Sequence, residues 1–459
     1  MDLKDYPRPQ FDTGYGFHWN ASCYPDANAV QKAIPLLKEL GATWLKLVCA
    51  DDAGVAAAQV AVQAGIEPIV RLYRERPHPG YVVDGACVAK YRAVGVNYFE
   101  WGNEPNLVDE WRGSYTAVVD QTMEQFLRNA NVINQAGGIA LFPALSPGGN
   151  YSHEKFYATA FAWLQQHNEL GVFDRNAIAI HNRPLNHPLG YPYDVINQRD
   201  HPGATVADDS TCFLMCQFVD DLCQQYLGRS VPMLGTESGT EPGQDDDRRY
   251  PKITYDLHGQ VNAAIAKGMM NGWTVSSPAS QGWRQSLFTQ CFWLLGIFGH
   301  YAFEAAAWLQ NPLYNGQNLP AIGLLQALPK RQRPFPIPIP DPLPLPGPSG
   351  FHCLLLGQSV EALVPWAWIE ALQLYLQTYR STITFSHDDA QRYPIVSIVG
   401  ALDAAVPVSA EAEAIIRQSP NVKWLERIAV HSAAELQAIM DGRVSANDKY
   451  GSIPISDED

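Results

Sequence analysis

Between residues 14 and 308 the chain alternates two hydrophobic rhythms. Short runs, apolar throughout or polar at every second place, read as strands. They are GYGFHW from Gly14, WLKLVC from Trp44, EPIVRLY from Glu67, VNYFEWG from Val96, GIALFPA from Gly138, AIAIHN from Ala177, PMLGTE from Pro232 and AFEAAAW from Ala302. Most gaps carry apolar residues three and four apart, the spacing of a helix with one buried face. NAVQKAIPLLKELGA (Asn28 to Ala42) and TMEQFLRNANVINQAG (Thr122 to Gly137) are examples, the second stopped by a glycine. SLFTQCFWLLGIFG, ahead of the eighth run, reads as one more helix, although its apolar run could also hold a strand. Eight strands alternating with helices over roughly 310 residues predict a (β/α)8 TIM barrel, a little above the usual ~250 residues.

The rhythm breaks at RPFPIPIPDPLPLPGPSG, Arg333 to Gly350, where proline takes every second position from Pro334 to Pro348. Proline has no amide hydrogen and a fixed φ, so neither a helix nor a central strand can hold this run. It predicts an extended spacer rising about 3.1 Å per residue. The interleaved Phe335, Ile337, Ile339, Leu343 and Leu345 suit a spacer that lies along a surface. Strand-like FHCLLLG, STITFS, YPIVSIVG and VKWLERIAV then alternate with helical SAEAEAIIRQ and SAAELQAIMDG. They predict a small α/β unit with no glycine loop to cradle a phosphate. The expected organisation is a barrel over residues 1–330, a linker over 331–350 and an α/β unit of unspecified role over 351–459.

Composition narrows the partners. With 46% hydrophobic residues among 459, the chain can bury a large core. Its formal charge of −15 and its short basic run KRQR (Lys330 to Arg333) disfavour nucleic acid and suit a neutral substrate. No apolar run approaches the roughly 18–20 residues of a membrane helix. The N-terminus MDLKDYPRPQ lacks an apolar signal core. A native N-terminus of this kind implies a cytoplasmic protein, one exposed by trimming a secreted protein. Cys212, Cys216 and Cys223 fall on one helical face, which reads as core packing, and there is no CxxC pair.

In a barrel of this kind, chemistry gathers where strands end. The fourth run ends in WGNEPN and puts Glu104 there; the seventh ends in LGTESG and puts Glu237 in the matching place. Three βα units separate them, so their side chains can converge across the mouth. Two carboxylic acids facing one space are what glycoside hydrolysis requires. One donates a proton to the departing oxygen. The other, about 5–5.5 Å away, attacks the anomeric carbon and forms a glycosyl-enzyme; an inverting pair would be about 6.5–9.5 Å apart. The acid is expected to have a raised pKa, from burial and from its neighbour's charge.

WGNEPN followed by LGTESG resembles the signature of glycoside hydrolase clan A, the retaining (β/α)8 glycosidases, over roughly residues 10–320. The local texture is nearest to families 39 and 5. The resemblance implies that Glu104 is the acid/base, that Glu237 is the nucleophile and that Asn103 hydrogen-bonds the sugar 2-hydroxyl. It also implies a substrate-binding role for His181, which ends the sixth run, where clan members often place a His or Tyr near the nucleophile; a surface or core histidine is the other reading.

Other residues are open to two readings. Lys46 interrupts the apolar WLKLV, and a buried lysine needs a carboxylate partner; it either reaches the mouth or points outward. Arg71 in IVRLY poses the same choice. His18 ends the first run and is a candidate for the mouth. Trp308, ending the predicted eighth strand, could stack on the apolar face of a pyranose, with Trp283 a weaker candidate. Glu100 lies deeper than Glu104 on the same strand. Glu304 is a possible partner of Lys46 or Arg71. Asp51 and Asp52 read as a helix cap, and Asp245 to Asp247 as a solvated loop. There is no zinc pattern, P-loop or nucleophile elbow, so no cofactor or metal is implied. The expected function is retaining hydrolysis of a neutral, β-linked glycan or glycoside. A barrel that only binds carbohydrate or a protein partner, and a transglycosylase using the same glutamates, are the alternatives.

Overall fold

The computed structural model describes residues 1–74, 80–110, 118–271, 284–335, 352–357, 366–379, 381–404 and 407–446. Its first unit is a closed barrel of eight parallel strands in sequence order. They are β1 (Tyr15–His18), β2 (Trp44–Cys49), β3 (Glu67–Leu72), β4 (Tyr98–Glu100), β5 (Ile139–Phe142), β6 (Ala177–Ile180), β7 (Met233–Ser238) and β8 (Leu287–Phe292). β8 pairs with β1, with Gly16 opposite Cys291, and this closes the ring. The TIM barrel expected from the strand–helix alternation is thus the fold.

The eighth strand differs from the sequence expectation. It lies in SLFTQCF, which reads as a helix, while AFEAAAW holds a short 3-10 turn at Glu304–Ala306. All six residues of β8 are buried. A strand covered on both faces shows no alternation, so its pattern cannot be told from a buried helix.

Parity divides the barrel's residues into two cores. Trp44, Ile69, Tyr98, Leu234 and Phe288 fill the interior, together with Tyr6 from the N-terminal segment. Phe17, Leu45, Val70, Phe99 and Ile178 face the surrounding helices. The helix Ala27–Leu40 shows how those helices are bounded. Asp26 caps its first turn by accepting from Asn28 N, and Gly41 ends it at φ 80°. The end opposite the strand C-termini is tied off by Arg333. Its guanidinium donates to the carbonyls of Leu287 (2.5 Å) and Phe288 (3.1 Å), and its amide donates to Asp12 O (2.6 Å). Arg8 lies 3.8 Å over the Phe335 ring in the same region.

The chain divides into a unit of residues 1–339 and a second from 340 on. The second contains β9 (His352–Leu356), β10 (Thr382–Thr384), β11 (Ile395–Val399) and β12 (Trp424–Ile428), all parallel in the order β10-β9-β11-β12. Leu354, Leu356 and Val399 pack on one face of this sheet, and Cys353, Leu355 and Ile398 on the other. The proline run beyond Phe335 lies outside the described residues. All eight cysteines are free; Cys49, Cys212, Cys216, Cys223, Cys291 and Cys353 are buried. Cys212 precedes the helix Met215–Leu227 instead of lying on it. Among the described residues, no helix is long and apolar enough to cross a membrane.

Candidate active site

β4 ends at Glu100, and the chain climbs through Trp101, Gly102 and Asn103 to Glu104. Glu104 has φ 37°, a left-handed conformation that costs a non-glycine residue roughly 1–2 kcal/mol. Its neighbours hold it there. Its amide donates to Ala144 O (2.8 Å), and its carbonyl accepts from Leu107 N (2.9 Å). Asn106, fully buried, donates to Ser146 O (2.8 Å) and Tyr151 O (3.1 Å) and accepts from Ser146 N (2.8 Å). The loop carrying Glu104 is thereby fastened to the loop after β5.

β7 brings Glu237 inward by an irregularity. Leu234 points into the barrel, so strict alternation would turn the residue three positions on toward the helices. The register of β7 on β8 shifts between Gly235 and Ser238, a bulge-like step that re-aims the strand end. One carboxylate oxygen of Glu104 and one of Glu237 come within 4.8 Å of each other, with His181 between them.

Glu237 is surrounded by nitrogen. Arg183 Nη2 lies 2.7 Å from Oε2, and Lys46 Nζ lies 3.4 Å from Oε1. His18 Nε2 and His181 Nε2 each lie 3.9 Å from Oε1. Burial pushes the Glu237 carboxyl up, but His181, Lys46, Arg183 and His18 together outweigh it and hold the group well below the usual carboxylate range. Lys46 also pairs with Glu100 at 2.9 Å, with both side chains buried. Burial, seconded by Lys46, keeps the His18 imidazole well below its usual pKa. Arg183 reaches on to Glu241 as a second carboxylate, and burial raises the Glu241 pKa.

Glu104 departs from the sequence expectation of a raised pKa. Burial does push it up, but His181 Nδ1 lies 2.8 Å from Oε1, and this hydrogen bond and charge bring the carboxyl below its ordinary value. Glu104 and His181 therefore form one hydrogen-bonded unit.

An open cavity of about 780 Å³ is lined among others by His18, Arg71, Asn103, Glu104, Glu237 and Trp293, while His181, expected to bind the substrate, is fully buried and does not border it. Asn103 Nδ2 donates to Glu110 Oε1 (3.1 Å) and approaches Glu104 Oε2 (3.4 Å), while its buried Oδ1 has no hydrogen-bond partner among the described residues. Arg71 is half-buried, its guanidinium 5.6 Å from the Tyr73 ring centre.

Lys46 takes the first of its two readings and reaches Glu237 at the mouth, but it has no exposed surface and does not border the cavity. Two expectations fall elsewhere. Trp308 is fully buried, its ring 5.1 Å from Phe17 and 5.2 Å from Phe292 and its Nε1 donating to Trp293 O. It has no face to offer a sugar, because the strand it was expected to end lies about fifteen residues earlier. Glu304 sits in the 3-10 turn and does not pair with Lys46, whose partners are Glu100 and Glu237. Trp283 lies outside the described residues.

Sequence reasoning missed Arg183, Glu241, Glu110 and Trp293. Arg183 stands two places after His181, where an arginine after a strand end was a legible signal. Trp293 directly follows β8 and was lost with that strand.

No protein-family model and no curated protein matches the chain. Among solved structures, it is similar to a family 39 glycoside hydrolase from Bacteroides cellulosilyticus WH2 (TM-score 0.41, 11% identity, 69% of this chain and 63% of that one). The chain thus spans less than two thirds of that protein's length. A monomeric beta-xylosidase from Caulobacter crescentus CB15 is similar at TM-score 0.42 and 13% identity, over 71% of this chain and 70% of that one. A Bacteroides uniformis beta-glucuronidase follows at TM-score 0.35 and 13% identity, over 62% and 32%. The chemistry rests on the site's own residues.

Proposed function

We propose that the protein is a retaining glycoside hydrolase acting on a neutral, β-linked glycan. The observation that carries this reading is the approach of Glu104 and Glu237 to within 4.8 Å at the strand ends. It suits a pair that makes and breaks a covalent intermediate, whose carboxyl groups stand about 5–5.5 Å apart. Glu237, kept ionised by its cations, attacks the anomeric carbon. As the C1–O bond breaks, the Glu104–His181 unit passes a proton to the departing oxygen. Glu104 then takes a proton from water, whose oxygen attacks C1 and releases Glu237. Asn103, which lines the cavity, is available to the sugar 2-hydroxyl.

The test is a panel of 4-nitrophenyl β-glycosides, with a 2-deoxy-2-fluoro glycoside as trap. Expected is cleavage with retained configuration and a trapped sugar on Glu237, with Glu237→Gln at least 1,000-fold slower, on the order of a lost nucleophile. Inversion, or a trap on another residue, would defeat the mechanism. No cleavage of any glycoside would favour a barrel that only binds.

Glu104, His181 and Glu237 also form a donor set for a divalent cation. The charge balance argues against that use, since Lys46 and Arg183 already neutralise Glu237. Activity is expected to survive EDTA; loss restored by Zn²⁺ or Mn²⁺ would reverse this judgement.

A further inference from the structure

The mouth of the cavity carries an aromatic rim that hydrolysis at Glu104 and Glu237 does not need. Of the five exposed Phe and Tyr side chains among the described residues, four stand on the loops after β1 and β8: Tyr24 (61% exposed), Phe298 (38%), Tyr301 (76%) and Phe303 (60%). Tyr24 and Phe303 border the cavity itself. Packing alone would have hidden such rings, since each exposed one forgoes the gain from burial.

The backbone beneath them is strained. Phe298 and Phe303 have φ of 44° and 58°, a left-handed conformation that costs an aromatic residue roughly 1–2 kcal/mol. Two such residues within six positions are held by a framework of rings. Phe298 lies flat on Trp19 at 3.9 Å and 2°. Phe303 stands edge-on to Trp293 at 5.2 Å, and Trp293 in turn is 4.4 Å from His18 beside Glu237. A continuous aromatic path therefore runs from the nucleophile outward. The stretch from Trp293 to Phe303 contains no Asp, Glu, Lys or Arg.

The direction of this path is set by the barrel. The acid on the β4 loop must touch the departing oxygen, so the leaving part of the substrate lies on the β4 side. In a closed ring of eight, β8 is diametrically opposite β4, and β1 is next to β8. The rim thus lies on the side of the sugar that stays attached to Glu237.

Resting on the hydrolase reading, we propose that the loops after β1 and β8 form a second, glycone-side subsite. There Tyr24, Tyr301 and Phe303 stack on the apolar face of a further uncharged sugar ring, so that the substrate is an oligo- or polysaccharide and not a monoglycoside. Flat rings offer area to sugar C–H groups at little entropic cost. The uncharged loop and the chain's formal charge of −15 both favour a neutral glycan over a polyanion. Tyr24 and Phe303 are continuous with the cavity, which distinguishes the rim from a membrane-facing or self-associating patch.

The test compares Tyr301→Ala and Phe303→Ala with wild type on xylotetraose, cellotetraose and mannotetraose and on the matching 4-nitrophenyl monoglycosides. The expected result is that the ratio of kcat/KM on tetraose to that on monoglycoside falls about three- to tenfold per ring removed, the worth of one aromatic contact. Equal loss on both substrates, or no loss on the tetraose, overturns the subsite. Quenching of tryptophan fluorescence by the same tetraoses, read on Glu237→Gln, needs no turnover. If wild type cleaves nothing while tetraose quenching persists and weakens in Tyr301→Ala, the hydrolase reading fails and the subsite stands. If no tetraose quenches, the subsite is overturned whatever the activity. Concentration-dependent dimerisation lost in Tyr301→Ala, without sugar binding, would assign the rim to a second copy of the chain instead.

Discussion

At the scale of single residues, the site is a problem in charge balance. Glu237 is buried, and burial alone would protonate it; the cations around it reverse that. Lys46 belongs to this balance and also neutralises Glu100 at 2.9 Å. Lys46→Ala alone is expected to cost about 3–5 kcal/mol of stability, because Glu100 would be left buried and unpaired. The double variant Lys46→Met, Glu100→Gln removes both charges and tests the chemistry. The sign is direct: the depressed Glu237 pKa keeps the proposed nucleophile ionised down to low pH, and losing Lys46 raises that pKa. The acid limb of the kcat/KM profile should move to higher pH, and an unmoved limb would exclude Lys46 from the balance. Arg183 is the larger omission from the sequence reading. Arg183→Ala is expected to lower kcat by on the order of 100-fold with little change in KM, as for loss of a charged contact to the reacting group. Arg183→Ala and Glu241→Gln should be non-additive in a double-mutant cycle, since both act on one ion pair.

At the scale of elements, precision comes from irregular pieces. Asn106 ties the Glu104 loop to the loop after β5 by three hydrogen bonds. Asn106→Leu is expected to lose about 2–3 kcal/mol, read by thermal unfolding, from the buried backbone groups left unsatisfied. Activity should fall as well, because the left-handed Glu104 would no longer be held. The same irregularities explain what sequence could and could not reveal. Strands β1 to β7 were legible because each is a short apolar run bounded by turns and helices. β8 was not, because a doubly buried strand loses its period. Glu104 and Glu237 were legible as carboxylates at strand ends. The bulge-like step that turns Glu237 inward leaves no mark in LGTESG, and Trp308 was misread once its supposed strand proved to be a turn. The pKa direction of Glu104 depended on His181, which is 77 residues away in the chain and 2.8 Å away in space.

At the scale of the molecule, the barrel's boundary lies slightly beyond the proline signal. Arg333 and Phe335, the opening residues of that run, are part of the barrel's lower end. Truncation after Phe335 and truncation after Lys330 should therefore differ. The shorter chain is expected to melt on the order of 5 °C lower, having lost the Arg333 hydrogen bonds and the Phe335 contact; equal melting would contradict the docking. Thiol chemistry offers a way to watch the two units separately. Seven of the eight sulfhydryls belong to the barrel, and Cys353 alone belongs to the second unit, with burial pushing its thiol up to about 12. Cys353 and the five buried thiols of the barrel, whose pKa burial raises, resist alkylation until the structure around them opens. A pulse of iodoacetamide followed by peptide mass mapping would time each opening on its own clock, with no label introduced and no residue replaced.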